Sequence, residues 1–240
     1  ICEVATDEGV LLIAKNYTGD VLNFQMAADM ASDDDIDCEC VVVNDDVAVE
    51  NSTFTAGRRG VAGTVFVHKI AGAKAEAGAS LTDVKAIAER VIANVRSMGA
   101  AIAPCTVPAA GTPGFELAPD EMEMGIGIHG EPGVRRERMR PVDEIVDELL
   151  EHILSDLDFV GHEVAVLVNG SGGTPLMELA IANRRVARLL EDKGISTYRT
   201  LVGNYMTSIE MQGFSLTLLR LDDELKGLLD APAKAFAWRG

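Results

Sequence analysis

The sequence predicts an α/β fold in two mixed α/β lobes, the first a partial layered sheet with helices on its faces and the second a smaller α/β domain. Two observations lead there. Short β-branched runs alternate with amphipathic helical stripes along the whole chain. Midway, a stretch containing Pro108, Pro113 and Pro119 interrupts that alternation, which marks the expected boundary between residues 1–107 and 108–240.

Element by element, Val10–Ala14 is a short apolar run and reads as a buried strand. Lys15 to Gly19 forms a loop, and Asp20 stands where an N-cap belongs for a helix carrying Val21, Phe24 and Met26. Cys38–Val43 is a second strand, closed by the acidic turn Asn44-Asp45-Asp46. The polar stretch Glu50–Gly60 precedes a helix from about Val61. Ser80 caps a clearer helix, whose apolar residues Leu81, Val84, Ile87, Ala88, Val91, Ile92 and Val95 share one face. A strand is expected near Ala101–Val107.

Beyond the boundary, Met122, Met124, Ile126 and Ile128 alternate with glutamate and glycine, a strand pattern that ends at His129. Val142–Leu157 is strongly amphipathic and Val164–Val168 is a buried strand. Thr174 and Pro175 suit the N-cap and first position of a helix that stops near Gly194. Strands at Thr197–Val202 and Phe214–Leu219 and a helix at Asp222–Leu229 finish the reading.

Composition narrows the class. Of 240 residues, 48% are hydrophobic and 25% charged, which excludes disorder as the overall state. With 21 Lys+Arg against 38 Asp+Glu, the net charge is −17, a surface that repels nucleic-acid phosphates and anionic lipid. No apolar run reaches membrane-spanning length and no signal-peptide pattern is visible, so a cytoplasmic protein is expected. Cys2, Cys38, Cys40 and Cys105 form no C-x-x-C pair, and Cys38 and Cys40, within a buried strand, read as reduced packing residues.

The candidate chemistry lies at a few positions. His152 belongs to the polar face of a helix, His68 to a helix interior and His162 to a turn before a strand, all structural settings. His129 differs, because the slim turn Gly130-Glu131-Pro132-Gly133 follows it and leaves the imidazole uncovered. It reads equally as a turn residue or as a presented reactive group. Asp20 reads as a helix cap, yet it also sits past the C-terminal end of a strand, where open α/β sheets place ligands. Lys15 shares that loop and could face the same pocket. The run Asn169-Gly170-Ser171-Gly172-Gly173-Thr174 matches no phosphate-loop or dinucleotide motif and reads as turn geometry. Arg58-Arg59 reads as a surface or interface pair.

Several strings, in order along nearly the whole chain, resemble the K (substrate-binding) subunit of the dihydroxyacetone kinase family. They are Gly9–Ile13, Lys15-Asn16-Tyr17-Thr18-Gly19-Asp20 with its continuation to Phe24, and Asn44–Val49. Thr55-Ala56-Gly57-Arg58-Arg59-Gly60, Cys105–Pro108, Gly127-Ile128-His129-Gly130-Glu131-Pro132-Gly133 and Asp230-Ala231-Pro232 follow. The resemblance implies that His129 binds the ketone carbonyl of dihydroxyacetone as a hemiaminal. It implies that Asp20 accepts the proton of the substrate hydroxyl as that oxygen attacks phosphorus, and that Lys15 contacts substrate.

It further implies a homodimer with no cofactor of its own. ADP and Mg would sit on a separate L subunit, recharged by a phosphoenolpyruvate-dependent phosphotransferase system. Two other readings stay open within the same resemblance: a non-enzymatic dihydroxyacetone-sensing coactivator, and a kinase subunit for a related small ketose or aldose. The family's upstream G-G-S-G-H-type segment is not among these residues, and the opening Ile1 is expected for a chain that starts partway through a domain.

Overall fold

The computed structural model describes residues 1–50 and 56–238; Thr55 and the 51–54 part of the polar stretch lie outside the described residues. Strands β1 (Val10–Lys15) and β2 (Cys38–Val43) pair in parallel across α1 (Thr18–Ser32), as a parallel pair requires a long crossover. Helices α2 (Thr64–Glu76) and α3 (Leu81–Asn94) follow, and α3 passes without a turn into β3 (Val95–Ala103). The second half supplies β4 (Glu121–Met124), β5 (Arg135–Arg138), α4 (Val142–Asp156), β6 (Glu163–Gly170), α5 (Leu176–Asp192), β7 (Ser196–Gly203), β8 (Gln212–Leu221) and α6 (Asp223–Asp230).

Six strands form the main sheet in the order β5-β4-β3-β8-β6-β7. It is mixed: β6 and β7 run parallel, while β8 is antiparallel to both β3 and β6. β3 comes from before Val107 and lies between β4 and β8 from after it, so residues 1–107 and 108–240 share this sheet. Both faces are covered. Val166 and Leu218 pack in a core with Leu149 and Ile153 of α4, whereas their neighbours Leu167 and Leu219 pack in another with Phe66, Ile70 and Val91 of α2 and α3. That alternation is the period of two expected of a strand, and it explains why Val164–Val168 is apolar throughout.

Several expectations shift. α1 begins at Thr18, and its N-cap is Tyr17 without a side-chain cap bond, so Asp20 sits in the first turn rather than at the cap. There the helix dipole still favours a carboxylate. Pro175, not Thr174, is the N-cap of α5; the Thr174 hydroxyl instead donates to the Gly213 carbonyl at 2.7 Å. The strand expected at Ala101–Val107 lies earlier, because the chain turns straight from α3 into β3. The alternating pattern up to Ile128 stops as strand at Met124, where Gly125 takes φ +72° and no ladder can continue. His129 therefore stands on a turn beyond the strand. The acidic turn after β2 is interior: Asp45 and Asp46 are buried, and Asp45 accepts from the Val61 and Gly63 N–H groups at 2.8 and 2.7 Å, ordering the approach to α2.

Candidate functional site

The turn that carries His129 is closed by its own backbone and by Glu131. The Gly127 N–H donates to the Glu131 carbonyl at 3.1 Å, and Gly130 adopts φ +83°, a conformation suited to glycine. Glu131 folds back under the turn: Oε2 accepts the His129 N–H at 3.0 Å, and Oε1 lies 2.7 Å from His129 Nδ1. A side chain at Gly127 would put its Cβ 2.0 Å from Glu131 Oε2, so glycine is what lets the carboxylate occupy this place.

Electrostatics then assign the proton. Burial raises the Glu131 carboxyl, but the hydrogen bonds from His129 and the turn backbone outweigh it and hold the group below its ordinary value. An ionised carboxylate only accepts, so Nδ1 carries the hydrogen, and in the neutral imidazole the lone pair is the one on Nε2. The Glu131 side chain is 8% exposed and that of His129 is 55% exposed, so the anchor is buried while the imidazole it holds is half open to solvent.

Tyr17 connects this turn to the Lys15–Asp20 loop. Its ring meets the imidazole edge to face, with centroids 4.7 Å apart and planes at 69°. Tyr17 is buried, and burial together with the Glu131 charge pushes its phenol up, so it stays neutral. Lys15 ends β1 and Asp20 follows within the first turn of α1. Among the described residues no hydrogen bond or ion pair joins Lys15, Asp20 and His129 to one another; Tyr17 is the bridge between the two segments. Asn16 fixes the same loop, donating through Nδ2 to the carbonyls of Ala56 and Arg58 at 3.0 and 2.7 Å.

Other sequence candidates resolve differently. The expectation of a surface or interface pair at Arg58-Arg59 fails for Arg59, which is 0% exposed and ion-paired with buried Asp46. Arg58 is half-buried on Asp156. In the Asn169–Thr174 turn, the Ser171 and Gly173 N–H groups donate to Gly213 and Met211 carbonyls, so this backbone completes the β8 edge instead of cradling an anion. His152 lies near Glu148 on α4, and the His162 N–H closes a turn onto Phe159. His68 is exposed on α2, where its surroundings and the Lys15 charge lower its pKa. Glu131 and Tyr17 are the site residues that motif reading did not single out. No cluster of metal-ligating side chains occurs among the described residues, and no helix is long and apolar enough to cross a membrane.

Fold and site together define a mixed-sheet α/β protein that presents a carboxylate-oriented histidine on a glycine turn beside a Lys–Asp loop. The chain belongs to the Dak1 domain family, whose model matches residues 1–237. It is 58% identical to the PTS-dependent dihydroxyacetone kinase 1, dihydroxyacetone-binding subunit DhaK of Listeria innocua, over 96% of this chain and 70% of that protein. It is 42% identical to the PEP-dependent dihydroxyacetone kinase, dihydroxyacetone-binding subunit DhaK of Escherichia coli, over 96% of this chain and 72% of that protein.

Among solved structures, the dihydroxyacetone kinase of C. freundii superposes with a TM-score of 0.88 at 34% identity, covering 97% of this chain and 42% of that one. The dihydroxyacetone kinase operon co-activator Dha-DhaQ superposes with a TM-score of 0.92 at 38% identity, covering 99% of this chain and 74% of that one.

Proposed function

We propose that the chain is the dihydroxyacetone-binding subunit of a phosphoenolpyruvate-dependent dihydroxyacetone kinase, with His129 as the carbonyl-binding residue. The observation that carries this reading is the 2.7 Å Nδ1 contact with ionised Glu131, which in the neutral imidazole leaves the lone pair on Nε2 of a half-exposed ring. Nε2 adds to the carbonyl carbon, the C=O π pair moves to oxygen, and that oxygen takes a proton. Positive charge building on the ring is met by Glu131, toward which the Nδ1 proton moves. The net change is one N–C bond formed and one proton shifted from ring nitrogen to the former carbonyl oxygen. Glycerol has no carbonyl and is refused at this step.

Asp20 then takes the proton of the terminal hydroxyl as its oxygen attacks phosphorus, and Lys15 holds that end of the ligand by charge and hydrogen bonding. The phosphoryl group is supplied by a separate L subunit holding ADP and Mg, and the subunit works as a cytoplasmic homodimer. The superposition on the co-activator favours a second reading, in which the same histidine holds ligand for sensing and no transfer follows.

One experiment covers both. With dihydroxyacetone labelled at its carbonyl carbon, 13C NMR of the chain should show a tetrahedral carbon that His129→Ala abolishes; a persisting signal refutes the assignment. With a phosphoenolpyruvate-charged L subunit added, Asp20→Asn should keep the adduct and lose turnover by roughly 10²–10⁴-fold. Adduct without any turnover in the unmodified protein selects the sensor reading.

A further inference from the structure

We propose that Arg59 is a positioning residue for His129, holding both ends of the turn that carries the imidazole. This rests on the reading of His129 as the carbonyl-binding group. Arg59 is fully buried, and each nitrogen of its guanidinium is committed. Nε donates to Asp46 Oδ2 at 2.8 Å, and Nη2 lies 2.7 Å from the same oxygen. Nη2 also donates to the Gly125 carbonyl at 2.6 Å, and Nη1 donates to the Pro132 carbonyl at 3.1 Å. Gly125 opens the turn after β4 and Pro132 closes it before Gly133; His129 and Glu131 lie between them.

The fork itself cannot swing. Asp46 Oδ1 accepts from the Ala48 N–H at 2.9 Å, the Asp46 N–H donates to the Arg59 carbonyl at 3.1 Å, and Asp46 bridges to Ser97 of β3. The guanidinium also lies close under the turn, 3.1 Å from where a Cβ at Gly127 would be. A rigid planar fork can serve three acceptors in fixed directions, which a lysine ammonium on a flexible stem cannot. Buried ion pairs seldom add net stability over a well-packed apolar group, so stability alone is a weak account of this one. Orientation is a better one, since adding Nε2 to a carbonyl needs the lone pair aimed at the carbon, and a misplacement of ~1 Å costs about 10²-fold in rate.

The test uses Arg59→Lys and Asp46→Asn in the full chain. Two readouts are taken: the 15N spectrum of the His129 ring without ligand, and the rate at which 13C-labelled dihydroxyacetone forms the tetrahedral carbon. Arg59→Lys should stay folded, lose the single Nδ1–H tautomer signature, and form adduct about 10²-fold more slowly. Asp46→Asn leaves both carbonyl acceptors in place but removes the charge that fixes the fork, and should slow the reaction by roughly tenfold and weaken the tautomer signature. A folded Arg59→Lys with the parent's tautomer spectrum and adduct rate overturns the proposal. If Arg59→Lys does not fold, Asp46→Asn decides, and parent behaviour in both readouts overturns it. The ring spectrum needs no ligand, so an unmodified protein that forms no adduct would refute the His129 reading while leaving the Arg59 measurement interpretable.

Discussion

Glu131 acts on His129 through two hydrogen bonds, one to the backbone N–H and one to Nδ1. Only the charged, acceptor-only form makes both without competition. Glu131→Gln keeps the shape and removes the charge, so the amide can offer either an oxygen or an N–H to the ring. Its adduct formation is expected to fall by roughly 10²-fold with little change in noncovalent affinity, measured by 13C NMR and calorimetry on the same sample. Equal adduct rates would mean that the carboxylate only closes the turn. At this scale the candidate site was half legible. His129, Asp20 and Lys15 stand out in the sequence as chemistry-bearing residues that follow apolar strand runs. Glu131 in a Gly-Glu-Pro-Gly turn and Arg59 in a polar run look like solvated charges, because their partners are contributed by segments distant in sequence or by the turn's own fold.

Helices α3 and α4 lie where local signals in the sequence put them. α3 has Ser80 at its cap accepting the Asp83 N–H at 3.2 Å, and α4 starts at Val142 as its apolar stripe requires. β5 was missed because Arg-Arg-Glu-Arg has no apolar face; it exists through pairing with β4, helped by Arg136 Nε on buried Glu123 at 2.7 Å. α6 tests the local logic directly. Asp222 Oδ1 accepts the Leu225 N–H at 2.9 Å, and α6 buries Leu225 and Leu229 against α2 and its neighbours. Asp222→Ala should therefore cost about 1 kcal/mol by denaturant titration, with the slope unchanged. A null effect would mean that burial of those leucines alone holds the helix.

For the molecule as a whole, Asp156 is a junction between distant segments. It ends α4, where the helix dipole disfavours a negative charge, and it is held by Arg58 from the loop before α2 and Arg96 from β3. The Arg58 hydrogen bonds, opposed by partial burial and reinforced by Arg96, keep its carboxyl below the ordinary range. A depressed folded pKa contributes stability that is present above the unfolded value and lost as pH falls through the folded one. Asp156→Asn is thus expected to be less stable than the parent at neutral pH, with the gap closing as pH drops below about 4 in a series of thermal melts. A gap that stays constant across that range would show that the charge contributes nothing.

The place of β8 between β3 and β6 has a consequence for how the chain is made. Ribosomal synthesis delivers β3, β4 and β5 as one set of paired strands and β6 and β7 as another, with no strand pairing between the sets, and the bridging strand arrives only at Gln212–Leu221. Until it emerges, the edges of β3 and β6 that β8 will pair with are open, the kind of exposed edge that recruits other chains. A nascent chain halted before Gln212 should therefore remain protease-sensitive throughout its second half, whereas one extended past Leu221 should become resistant in a single step.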